Sequence, residues 1–164
     1  MTVQLPDRVQ RSFSRSFGTY HNSADQQARI ADRLVQELRD CGAPREFNSA
    51  LELGCGTGHL TQKLLSEFRF GALAINDLSP EARLTARTAG ARFLSGDATR
   101  IKWPDQPGLI ASASMIQWLR DPAAFLRKAA AALPPGGWLA VSGFGPEQYR
   151  ELVQLGSSAR APGL

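Results

Sequence analysis

Leu51-Glu52-Leu53-Gly54-Cys55-Gly56-Thr57-Gly58 decides how the rest of this chain is read. It follows a short apolar stretch and runs directly into a segment with helical periodicity. A strand that ends in three glycines at alternate positions, followed by a helix, makes a nucleotide cradle. Glycine allows the sharp backbone turn and the close approach of a ligand to the main chain. The helix behind it directs free N–H groups into the turn. Glu52, two residues before the first glycine, modifies this reading. A dinucleotide turn holds an anionic pyrophosphate, whereas a carboxylate here suits a ligand with a cationic end. The spacing also departs from the dinucleotide pattern, in which the third glycine comes three residues after the second. Here Gly58 comes two residues after Gly56.

Working outward, strands and helices alternate. Ser23 to Leu38 reads as an amphipathic helix, with Ala31, Leu34, Val35 and Leu38 on one face and an N-cap at Asn22 or Ser23. Gly42 to Pro44 end it. Ser49 to Leu53 is the first strand and Thr57 to Phe68 a helix. Phe70 to Ile75 is the second strand. Ser79 as N-cap and Pro80 as first helical residue open a helix to Ala89. Arg92 to Leu94 and Leu109 to Ala113 are the third and fourth strands. Pro122 to Leu133 is a helix, Trp138 to Phe144 the fifth strand, and Glu147 to Leu155 a last helix.

This pattern predicts an α/β fold with a parallel sheet covered on both faces. Right-handed crossovers place every strand's C-terminal end on one edge, where the ligand should lie. The expected organisation is an N-terminal arm and helix over 1–40, a Rossmann-like binding domain over 41–156 and a flexible tail over 157–164.

The 164 residues fit one domain with one core. No apolar run is long enough to cross a membrane, and the N-terminus lacks the apolar core of a secretory signal. Up to Tyr20 it is rich in Arg and Ser and poor in acid, which suits an organelle transit peptide or, equally, a mobile or partner-capping arm. Cys41 and Cys55 make no disulfide framework, so a reducing cytoplasm is the default location. With His21 and His59 they match no zinc spacing, and no metal is expected. The net charge of +4 permits an acidic partner. The arginines are scattered and no aromatic-rich nucleic-acid pattern accompanies them, so a solvated basic surface ranks first.

Three acids fall at three predicted strand ends: Glu52, Asp77 and Asp97. Each has an ordinary structural reading. Asp77 could cap the next helix, Asp97 could shape a turn, and Glu52 could bond the loop backbone. As an ordered set they point to one crevice. Asp77 is placed to accept from two ribose hydroxyls, as the acid about twenty residues past a dinucleotide turn does. Asp97 is placed to accept from an adenine amino group, with Leu78 and Ala98 on either side of the ring. Glu52 would face the amino group of S-adenosylmethionine.

The stretch Glu52 to Gly58 resembles motif I of the class I S-adenosylmethionine-dependent methyltransferases. Asn76-Asp77-Leu78-Ser79-Pro80, Gly96-Asp97-Ala98 and Leu133-Pro134-Pro135-Gly136-Gly137-Trp138 resemble that superfamily's later motifs. A narrower likeness is carried by Phe13-Ser14-Arg15, Tyr20, Ala24 and Gln27, by Ser112-Ala113-Ser114-Met115-Ile116-Gln117-Trp118, and by Phe144-Gly145-Pro146-Glu147 with Arg150. These resemble the malonyl-[acyl-carrier protein] O-methyltransferases of biotin synthesis. The resemblance implies a three-layer Rossmann-like sandwich with strand order 3-2-1-4-5. It implies S-adenosylmethionine as cofactor, held by Glu52, Gly54, Cys55, Gly56, Asp77, Leu78, Asp97, Ala98 and Ser114. Malonyl-acyl-carrier protein or malonyl-CoA would be the substrate.

A carboxylate acceptor is anionic at neutral pH and needs no general base. No catalytic acid or base is therefore assigned. Arg150 is a candidate for holding the substrate carboxylate, or an exposed helix arginine. Tyr20 either closes over the cofactor or anchors the arm. Gln117 and Trp118 are expected at the mouth of the site, although Trp118 could equally be core. His59 is taken as structural.

The superfamily continues past its fifth strand with two more, and this chain stops short of them, so strands 6 and 7 are expected to be absent. Residues 138–144 would then be either a sheet edge used for self-association or a source of poor solubility. Three rivals stand beside this reading. They are a methyltransferase for another small metabolite, a cofactor-binding module without activity, and a nicotinamide-dependent oxidoreductase.

Overall fold

The computed structural model describes residues 21–145. Tyr20 and the N-terminal arm, the expected helix at 147–155 with Arg150, and the tail lie outside those residues.

Helix α1 (His21–Asp40) buries Ala31, Val35 and Leu38 at helical spacing. It ends where Gly42 takes a left-handed φ of 86° and Ala43 N–H returns to the Leu38 carbonyl. Strand β1 (Glu46–Leu53) begins three residues before the expected start at Ser49, because Glu46 and Phe47 already pair with Arg69 and Phe70. Strand β2 (Arg69–Asp77) is longer for the same reason. Phe47 stacks on Phe70 at 6.0 Å and meets Phe68 edge-on at 5.7 Å, closing this end of the sheet.

Helix α2 (His59–Glu67) follows the glycine turn. It starts two residues later than the apolar spacing suggests, since Gly58 holds a left-handed φ of 93° at its N-cap. The expected single helix after Ser79 is two pieces: a 3-10 turn (Pro80–Ala82) and helix α3 (Arg83–Thr88). Ser79 holds the N-cap position and Pro80 the first helical one, as expected, but the Ser79 side chain makes no capping hydrogen bond. Its hydroxyl donates to the Glu81 carboxylate, and its own N–H donates to Asp77 Oδ1. Strands β3 (Arg92–Ser95) and β4 (Leu109–Ala113) follow, then a 3-10 turn (Ile116–Trp118). Helix α4 (Pro122–Ala132) is capped by Asp121, whose carboxylate accepts from Ala124 N–H at 2.8 Å. Strand β5 (Trp138–Ser142) stops two residues before the expected Phe144.

All pairings are parallel and the order is β3-β2-β1-β4-β5, as expected for the Rossmann-like methyltransferase sandwich. Side chains alternate along β1. Leu51 and Leu53 pack with Ile110, Phe125 and Ala129 on the α4 face. Ala50 packs with Val35, Leu60 and Leu64 on the α1 and α2 face. The 3-10 turn adds Ala82 and helix α3 adds Ala86 against Ile75. Among the described residues, no helix is long and apolar enough to cross a membrane.

Candidate functional site

The C-terminal ends of β1, β2 and β4 open onto one cavity of about 640 Å3. It lies over the point where strand order reverses, between β1 and β4. The glycine turn makes its floor. Gly54 holds φ at 71°, and a side chain there would come within 2.9 Å of the Met115 side chain. Gly58 is closed in the same way by Thr85 Cγ2 at 2.7 Å. Gly56 has φ 51° and nothing within 4 Å of where a side chain would start. Its empty side is room for a ligand to approach the main chain.

Asp77 ties the second strand to this turn. Its Oδ2 accepts from Gly56 N–H at 2.8 Å and its Oδ1 from Ser79 N–H at 2.8 Å. Both oxygens are thereby fixed and each keeps a lone pair for a ligand hydroxyl. Burial pushes this carboxyl above the ordinary carboxylate range, while the backbone N–H bonds work in the opposite direction.

The third wall is the segment after β3. Asn76, fully buried, donates from Nδ2 to Leu94 O at 2.7 Å and to Gly96 O at 2.8 Å. It therefore sets the end of β3 against β2. Asp97 Oδ1 accepts from the Thr99 N–H and hydroxyl at 2.8 and 2.7 Å. Trp103 Nε1 donates to Ala98 O at 2.8 Å, and Lys128 Nζ to Thr99 O at 2.9 Å. Lys128 Nζ also stands 4.3 Å from the centre of the Trp103 ring. Partial burial draws its pKa down, and the nearby Asp97 charge partly restores it. Leu78, Ala98, Ser114 and Trp118 line the same cavity.

Two expectations are corrected here. Glu52 was expected to face the crevice with Asp77 and Asp97, and it does not line the cavity. The alternation that places Leu51 and Leu53 on the α4 face turns Glu52 under the floor toward α2. There it is 1% exposed and accepts from the Thr61 hydroxyl at 2.7 Å. Its Oε1 has no protein partner. Desolvation raises its pKa from 4.5 to about 7, against the Thr61 hydrogen bond. Gln117 was expected at the mouth and is instead wholly buried, off the cavity wall, donating from Nε2 to Ser114 O at 2.7 Å. The 3-10 turn that exposes Trp118 to the cavity turns its neighbour inward.

Cys55 does line the cavity, with its thiol pushed far up by burial and by the Glu52 and Asp77 charges. His59, taken as structural, also lines it. So do Arg100, Arg120 and Lys128, which no sequence motif marked. Helical spacing locates Lys128 on α4, but only packing shows that this stretch of α4 reaches the cavity. Among the described residues no group of three His, Cys, Asp or Glu could hold a metal.

Residues 51–141 match the family model described as "Methyltransferase domain". The chain belongs to this methyltransferase family. The malonyl-[acyl-carrier protein] O-methyltransferase of Bacteroides thetaiotaomicron is 34% identical over 90% of this chain and 58% of its own length. The protein of the same name from Bacteroides fragilis is 35% identical over 90% of this chain and 31% of its own length. The methyltransferase chain thus spans only part of these curated relatives. Among solved structures, the N-methyltransferase NodS from Bradyrhizobium japonicum, in complex with S-adenosyl-L-homocysteine, superposes with a TM-score of 0.69. It is 18% identical and covers 88% of this chain and 77% of its own, which establishes the shared fold.

Proposed function

We propose that the cavity binds S-adenosylmethionine and that the protein to which this chain belongs methylates the free carboxylate of a malonyl thioester. The observation that carries the binding step is the Asp77 carboxylate, bonded to Gly56 N–H across an open glycine turn. That geometry suits a ribose whose two hydroxyls donate to Asp77. Leu78 and Ala98 would bracket the adenine, and Asp97 would accept from its amino group. The run Gly54-Cys55-Gly56 and Ser114 would border the methionine part. Glu52, with an orphan oxygen under the floor, would answer the ligand's ammonium through the turn or a bridging water.

When bound, S-adenosylmethionine would supply an electrophilic methyl group to a substrate carboxylate oxygen, with the electron pair of the methyl–sulfur bond left on sulfur. The protein's part is alignment and exclusion of water. The acceptor is already anionic near pH 7, so no proton must be removed from it. The rim cations Arg100, Arg120 and Lys128 suit an anionic substrate. Arg150 and Tyr20 remain proposed substrate contacts. The malonyl acceptor is supported by the names of the relatives and by the sequence motifs. The edge of β5, which has no further strand beside it among the described residues, is proposed to pair with a second copy; light scattering that shows only monomers across a wide concentration range would refute this.

Calorimetric titration with S-adenosylmethionine and, separately, with NAD tests the binding step. We expect binding of the first alone, and its loss in Asp77→Ala with the circular dichroism unchanged. Binding of NAD alone would overturn the proposal. Methyl transfer to malonyl-carrier, malonyl-CoA and free malonate then ranks the acceptors, and equal transfer to free malonate would remove the thioester from the reading.

A further inference from the structure

Ser114 stands at the C-terminal end of β4, on the cavity wall, with a left-handed φ of 56°. A serine does not hold that conformation by preference. Two attachments keep it there. Its N–H donates to Ser142 on β5, to the carbonyl at 3.1 Å and the hydroxyl at 3.3 Å. Its carbonyl accepts from Gln117 Nε2 at 2.7 Å. Because a carbonyl only accepts, the amide must present its nitrogen here, and the orientation of Gln117 is determined. The other amide atom, Oε1, is buried without a protein partner. The next residue, Met115, lies where a side chain on Gly54 would be, 2.9 Å from that position. Its carbonyl is held in turn by Trp118 N–H at 2.9 Å.

We propose that Gln117 is a positioning residue for the cofactor rather than a substrate contact. It holds Ser114 in its left-handed state, and through it sets Met115 against Gly54 and so the shape of the glycine turn. This inference rests on the reading of the cavity as an S-adenosylmethionine site, but its central test does not.

The chain has two methionines, Met1 and Met115, so methyl-13C-methionine labelling places one reporter on the held segment and one far along the chain. In Gln117→Leu the Met115 methyl signal is expected to shift or broaden while that of Met1 stays. Ser114→Gly removes the conformational penalty at that position, so adding it to Gln117→Leu should return the Met115 signal toward that of Ser114→Gly alone. By calorimetry, Gln117→Leu should weaken S-adenosylmethionine binding roughly tenfold, and by less than about threefold in the Ser114→Gly background. An unmoved Met115 signal, or the same loss of affinity in both backgrounds, would overturn the proposal. Were Gln117→Leu too unstable to isolate, recovery of a folded chain on adding Ser114→Gly is the expected rescue, and no recovery counts against it. Failure of the unaltered chain to bind S-adenosylmethionine would defeat the functional reading while leaving the methyl signals to decide the role of Gln117.

Discussion

Glu52→Gln should make the ligand-free protein relatively more stable as pH rises. The carboxyl is 1% exposed, with one oxygen bonded to Thr61 and the other without a protein partner. Its pKa is raised from 4.5 to about 7 by burial. Between those values the folded chain holds a proton that the unfolded chain has released, so stability falls as pH rises through this window. The penalty is absent below about pH 4.5 and fully present above about pH 7. Integrating the difference in bound protons from pH 5 to pH 8.5 gives on the order of 2–3 kcal/mol. Glutamine cannot ionise and does not suffer this loss. Whatever the fit of its amide at the Oε1 position costs, that cost is the same at both pH values and cancels in the comparison. The assay is urea unfolding of both proteins at pH 5 and pH 8.5. The gain of the variant over the original should be larger at pH 8.5 by the amount above. A difference between the two pH values smaller than about half a kilocalorie per mole would mean that Glu52 titrates at an ordinary carboxylate pKa, and that its burial does not control its charge.

Two glycine substitutions should separate folding from binding. Gly54→Ala meets both a left-handed φ and the Met115 side chain, and should cost about 2 kcal/mol in thermal unfolding. Gly56→Ala meets no protein atom within 4 Å, so its stability loss should be smaller, about 1 kcal/mol, while calorimetry shows S-adenosylmethionine affinity falling. Asn76→Ala leaves the Leu94 and Gly96 carbonyls without their donor and should cost about 2 kcal/mol in urea unfolding. Hydrogen exchange should quicken selectively at Ser95 to Thr99, and a uniform rise across the sheet would refute the local role.

Much of the fold was legible because its signals are local. Alternating apolar runs, Pro80 and Pro122 at helix starts, and the glycines at 54, 56 and 58 constrain the backbone through near neighbours alone. Right-handed crossovers convert that series into a parallel sheet without any knowledge of packing. Strand ends were less legible. The extra residues of β1 and β2 exist because neighbouring strands satisfy their backbone groups, β1 and β2 each other's and β3 that of Asp77. The start after Ser79 was legible and only its first turn differs: Pro80 to Ala82 form a 3-10 turn ahead of α3, with Ser79 bonded to Asp77 and Glu81 and making no side-chain cap.

In the site, the residue types and their order along the chain came from the sequence by itself: three acids at three strand ends and a cradle of glycines. Which of those acids meets the cavity was decided only by tertiary structure. One step along a strand reverses the face of the sheet, so Glu52 lies beneath the floor while Asp77, at the end of its strand, remains on the wall. Gln117 was displaced from wall to interior by a single 3-10 turn. Arg120 and Lys128 joined the rim because of where α4 and the turn before it pack. Conformational preference is a property of neighbouring residues, whereas burial, charge state and convergence depend on segments distant in sequence. The chain therefore declares its architecture and the chemistry it carries, and the packed sheet decides which groups are buried, which are charged and which face the ligand.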